Sequence, residues 1–151
     1  MKNNVDLNEK LSLEYVGTKY EKLKNKKFSI PSLFFGWLYI AYRKFYSLLI
    51  VYVILERIYS AMLSSVLKEK PILVICLFIP NIILALVFNK LYLNNVKKKV
   101  SEIRNSNSEA SESELSSICS KKGGVSIVSL ILAVVVVVFI NAVINVVLGN
   151  L

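Results

Sequence analysis

A chain of 151 residues that is 55% hydrophobic is more apolar than an ordinary soluble domain, where about half the residues at most are apolar. It has no histidine and a single aspartate, Asp6, which removes Ser-His-Asp and Cys-His catalytic sets and most metal sites; Cys76 and Cys119 have the spacing of neither a disulfide framework nor a metal site. The net charge of +9 does not point to nucleic acid, because the lysines crowd the edges of apolar segments with no binding motif beside them, so neither an enzyme, nor a cofactor, nor a nucleic-acid partner is expected.

Residues 1–30 are polar, with no apolar core near the start, so the first membrane span is expected to act as its own insertion signal. Within this tail Leu13, Val16, Tyr20, Leu23 and Lys27 recur at helical spacing, which predicts a short amphipathic helix over 11–28, weakened by Gly17. The membrane domain is expected over 31–149. Its first apolar run, Ile30 to Leu67, would be about 57 Å long as one straight helix, against a bilayer core of about 30 Å. The run must break, and Arg43-Lys44 is the expected place. Pro31 suits the first turn of an interfacial or re-entrant aromatic helix over 32–44, with Trp37, Tyr39, Tyr42 and Tyr46 near headgroup depth, followed by a first span at 45–67. The alternative span, 33–55, puts Arg43-Lys44 at mid-depth and Glu56-Arg57 at the outer surface. Insertion scales penalise either pair by about 2.5–3.5 kcal/mol per residue at the bilayer centre, and two adjacent cations cannot offset each other, which favours 45–67.

After a short loop at 68–70, a second span is expected over 71–93, with a kink near Cys76 to Asn81 where Pro80 removes a backbone hydrogen bond. The helix should continue as an interfacial extension, since Val96, Val100 and Ile103 follow on one face beside three lysines. Residues 94–122 then read as a Ser/Glu-rich cytoplasmic loop, mostly flexible, in which Ser111 and Glu114 have capping-box spacing before a short helix that Gly123 would close. The last run, 125–148, is the third span; its valines are weak helix formers in water, but in lipid only a helix satisfies the backbone. The expected fold is therefore all-α: an integral membrane protein with three transmembrane helices, an amphipathic N-terminal helix, and the interfacial aromatic helix before the first span.

Lysine and arginine number seven up to Lys27, two at positions 43 and 44, and seven over 90–122, against two in the 68–70 loop. The positive-inside rule then gives a cytoplasmic N-terminus and an external C-terminus, whichever placement of the first span holds. Phe28 and the stretch LFFGWLYIAYRKFY at 33–46 resemble the signature of a bacterial membrane-protein family catalogued as domain of unknown function 2628; Phe34, Phe35, Gly36, Tyr42, Arg43, Lys44 and Tyr46 match it. Trp37, Tyr39 and Phe45 depart from the pattern, while 89–100 and KKGGVS at 121–126 resemble later elements of the family. The resemblance implies a bacterial cytoplasmic membrane and this architecture, and it implies no activity.

Two functions are in keeping with this reading. The first is a non-enzymatic assembly, scaffold or regulatory protein that associates with itself or with a larger membrane complex, using Ser60, Ala61, Ser64 and Ser65 for close helix approach and Asn141 and Asn145 as a polar stripe. The alternative is a transport component, with Glu56 as a proton-binding group, Arg57 as its counter-charge, and Asn81 on the pathway. In both, Trp37, Tyr39, Tyr42, Arg43, Lys44 and Tyr46 are the candidate contacts to anionic headgroups.

Overall fold

The computed structural model describes residues 2–69 and 71–149, with side chains described for 7–64, 74–139, 141, 142 and 146. All regular structure among them is helical. Helix α1, Lys2–Val16, stops at Gly17, whose φ of 77° is a left-handed value open to glycine without Cβ crowding, and whose N–H donates to Leu13 O at 2.7 Å. Helix α2, Tyr20–Asn25, follows. The single amphipathic helix expected over 11–28 is thus two helices, and the first begins well before 11. Val16, Tyr20 and Leu23 are buried, but Leu13 is exposed; the inner face of α1 is Leu11, Ser12 and Val16, flanked by Leu7 and Tyr15. The partners that bury this face, α6 and α7, lie far along the chain.

Helix α3, Ile30–Phe35, opens with Ser29, whose Oγ accepts from Ser32 N at 3.4 Å, and with Pro31 in its first turn. It ends at Gly36, φ 47°, and α4, Trp37–Tyr42, leaves from the same residue. The one helix expected over 32–44 is therefore a pair joined at a glycine elbow. A Cβ at Gly36 would stand 2.6 Å from Asn81 Oδ1, so the elbow depends on the missing side chain both for its dihedrals and for its fit. Arg43, Lys44 and Phe45 make a second turn, with Lys44 at φ 56°, before α5, Tyr46–Glu69. A continuous helix over 33–55 does not form. At about 1.5 Å per residue, the 24 residues of α5 reach about 36 Å.

Pro71–Phe78 winds as a 3-10 helix, and α6, Ile79–Ser106, starts anew with Pro80 in its first turn. The change of helix type falls inside the stretch Cys76 to Asn81, where the kink is expected. A proline ring clashes with the carbonyl four residues back, and the chain resolves that by ending one helix type and opening another, where proline lacks nothing. The remaining course of α6 reaches Ser106, but Val96, Val100 and Ile103 are buried beneath α1 and α7 rather than laid on an interface. The stretch 94–122, expected as a mostly flexible loop, is helical except between α6 and α7, Glu112–Lys122. A full capping box holds the start of α7: Ser111 Oγ accepts from Glu114 N, and the Glu114 carboxylate accepts from Ser111 N at 2.8 Å. Helix α8, Ile127–Gly149, follows Ser126, whose Oγ accepts from Ser129 N at 3.0 Å.

Among the described residues, two helical stretches are long and apolar enough to cross a membrane, Tyr46–Ser64 and Val74–Ser106. A third candidate is the pair Glu112–Lys122 and Ile127–Phe139, bent by 40°. The buried core lies toward one end of the molecule, where α1, α2 and α7 cover the C-terminal half of α6 and an aromatic layer of Tyr39, Phe45, Phe88 and Tyr92 lies next to it. Beyond that layer α5, α8 and the first turns of α6 carry exposed Ile54, Leu55, Ile83, Leu86, Val128 and Ile131.

Candidate functional site

Tyr39 on α4 and Arg43, the residue that caps its C-terminus, are one turn apart and reach Phe88 and Tyr92, themselves one turn apart on α6. Tyr39 packs on Phe88 with ring centroids 4.9 Å apart, and Phe88 stacks on Tyr92 at 5.6 Å. Arg43 Cζ lies 5.7 Å from the Tyr39 centroid and 5.3 Å from that of Tyr92, and its Nε donates to Tyr39 Oη at 3.2 Å. The residue is 3% exposed, so Arg43 sits between phenols at the wall of the adjoining cleft rather than on the open surface. Burial works against the guanidinium charge, and Tyr39 and Tyr92 outweigh it, holding the pKa above the ordinary arginine value. Among the described residues Arg43 forms no ion pair. Cation–π contacts return about 0.5–2 kcal/mol each, while desolvating an ion costs several.

Beside this seat lies a cleft of about 280 Å³, with Lys19, Lys22 and Lys26 on its walls and Tyr39, Arg43 and Asn89 among its lining. Two bonds hold its outer wall to α6: Asn89 Nδ2 donates to Lys26 O at 2.7 Å, and Ser29 N donates to Ala85 O at 2.8 Å. Asn89 is 4% exposed, and its Oδ1 is buried without a hydrogen-bond partner. The amide orientation follows from the bond to Lys26 O, since the flipped group would set oxygen against oxygen. The sequence singles out Asn81, Asn141 and Asn145 rather than Asn89, whose place four residues after Ala85, in a run with Phe88 and Tyr92, is the available signal.

Lys44 does not reach outward either. Its Nζ donates to Gly123 O at 2.7 Å and lies 3.4 Å from Lys122 O, so a cation meets the last carbonyls of α7. Nearby, Ser126 N donates to Tyr42 O at 2.9 Å, Gly124 N donates to Tyr15 O at 2.6 Å, and the Tyr46 and Ser129 hydroxyls are 2.7 Å apart. Trp37 is half-buried and packed against the core. Of the six candidate headgroup residues only Tyr46 has an exposed side chain, and even its hydroxyl is engaged within the chain.

A second polar place lies on α5, where Tyr52, Glu56 and Tyr59 share a face. Tyr52 donates to Asn81 Oδ1 and Tyr59 to Cys76 O at 2.8 Å, which ties α5 to the start of α6 and to the 3-10 helix. Glu56 stands between them in an apolar crevice of about 300 Å³, its Oε2 buried without a hydrogen-bond partner, while Arg57 is exposed and makes no ion pair with it. Asn141 is half-buried, and the Ser65 and Asn145 side chains lie outside the described residues. Burial, and then Glu14, push the Cys119 thiol up, as befits a packing residue rather than a nucleophile. No cluster of three metal-ligating side chains occurs among the described residues. No family model, no curated protein and no solved structure matches this chain.

Proposed function

We propose that the chain is a non-enzymatic membrane assembly protein, in which a basic helical cap stands on three membrane-crossing helices, α5, the 3-10 helix with the first part of α6, and α8. One observation carries this reading: only 6% of Tyr46–Ser64 is buried inside the molecule, although the cap is well packed. A protein closed at one end and open along apolar helices at the other completes itself with lipid and with other helices. The resemblance to the bacterial family and the lysine asymmetry support a bacterial cytoplasmic membrane, with the cap and N-terminus cytoplasmic and the C-terminus external. Alkaline phosphatase fused after Leu151 should be active and fused at Ser108, between α6 and α7, silent; activity at Ser108 overturns the three-span arrangement.

A transport component is the second reading, and the partnerless Glu56 oxygen favours it. Here Glu56→Gln should abolish proton-coupled flux in proteoliposomes while leaving folding intact. Flux unchanged by Glu56→Gln removes this reading.

A further inference from the structure

We infer that the cleft between α2, the 26–31 segment, α4 and α6 is a binding site for a phosphate ester. Two observations, a missing counter-ion and fixed walls, meet in one small space. Arg43 is a buried cation with no carboxylate partner among the described residues, and Lys19, Lys22 and Lys26 add three more cations on the walls, so the cleft lacks an anion. Asn89 in the lining is tied to Lys26 O at 2.7 Å and Ser29 N to Ala85 O at 2.8 Å, so the walls are held in place with the cleft open. An ammonium-bearing group alone would add a fifth cation to the four already present. A phosphate ester brings the missing charge, on tetrahedral oxygens that accept from the Arg43 guanidinium and the lysines. A volume of about 280 Å³ is at the lower edge of small-molecule sites, the size of a headgroup rather than of a nucleotide.

Such a group arrives either as the glycerol phosphate of an anionic lipid or as a soluble phosphate ester. The lipid source rests on the membrane reading above, whereas the cleft itself does not. The test uses the full chain. In nanodiscs of phosphatidylglycerol or phosphatidylcholine, native mass spectrometry reads retained lipid; in lipid-free detergent, thermal unfolding reads added glycerol phosphate. Lys19→Gln/Lys22→Gln/Lys26→Gln removes the exposed walls without touching the core, and Lys90→Gln/Lys98→Gln/Lys121→Gln removes the same charge elsewhere on the surface. Selective retention of phosphatidylglycerol, weakened about tenfold or more by the first triple and by Arg43→Gln but not by the second, supports the site with a lipid source. Stabilisation by glycerol phosphate with the same variant pattern supports it with a soluble source. Equal losses in the two triples mean diffuse attraction to a charged surface, and no response to either probe means an empty cleft; each overturns the site and leaves the topology result untouched. Should Arg43→Gln fail to fold, the two triples still decide.

Discussion

The two halves of α6 bury the same kind of residue and expose opposite kinds. Leu84, Phe88, Tyr92, Val96 and Val100 follow at intervals of four, a single inward stripe through both. Because four residues overshoot one turn by about 40°, the stripe winds about the helix and changes partners on the way. Near Ala85 and Asn89 it faces the 26–31 segment and α3, while near Arg104 it faces α1, where Arg104 reaches Asn8 at 3.4 Å. The outward surface changes abruptly: Ile82, Ile83, Leu86 and Val87 on the first half, Lys97, Lys98 and Lys99 on the second. Core chemistry is indifferent to the surrounding medium, and the medium is written on the outer face alone.

The largest effect should separate inner from outer face at nearly the same height. Phe88→Ala should cost about 3–5 kcal/mol, for it empties the layer between Tyr39 and Tyr92, whereas Leu86→Ala, exposed two residues away, should stay within about 0.5 kcal/mol. Thermal unfolding in detergent measures both; equal losses would mean that Leu86 packs against something within the chain. Next comes the joint between α7 and α1. A Cβ at Gly123 would lie 1.9 Å from Tyr15 O, a backbone atom that cannot swing aside, so Gly123→Ala should cost about 1–3 kcal/mol or more. Gly17→Ala meets open space and should lose less, through its φ alone. A milder Gly123→Ala would show that the cap is loosely held.

The smallest expected effect is the pH response of the cap. Hydrogen bonds from Ser111, backbone first and then side chain, hold the Glu114 carboxyl below its ordinary value of 4.5, as pairing with Lys24 does for Glu9. A lowered folded pKa contributes stability above the unfolded value and loses it as pH falls through the folded one. Melting temperatures should therefore decline below about pH 4.5, and Glu114→Ala should flatten that decline. An unchanged slope in the variant would place the acid sensitivity elsewhere.

Local signals were legible in the sequence and distant pairings were not. Ser111 and Glu114 declared the start of α7 because a cap needs only four consecutive residues, and the overlong run from Ile30 declared its own break. Pro80 declares a disruption without declaring its kind, since a kink and a change of helix type begin with the same missing hydrogen bond. The polar composition of α1 reads as a tail; Leu7, Leu11 and Tyr15 mark its apolar edge, but α7, which covers it, lies about a hundred residues away. Arg43 has the same explanation. A rim position suits an arginine that faces headgroups, and only the pairing of α4 with Tyr92 turns it inward.

The bonds around Lys44 bear on how the chain is made. Tyr42 O, Lys44 Nζ and Tyr46 Oη all belong to the first third of the sequence, and their partners, Ser126 N, Gly123 O and Ser129 Oγ, belong to the last. During synthesis the turn at Arg43, Lys44 and Phe45 is made well before the segment that supplies these partners, so α8 is expected to arrive at a berth already formed. Two fragments cut near Ser108 and produced together should therefore find one another, and a fragment ending there should leave its berth open to the corresponding helix of a neighbouring copy.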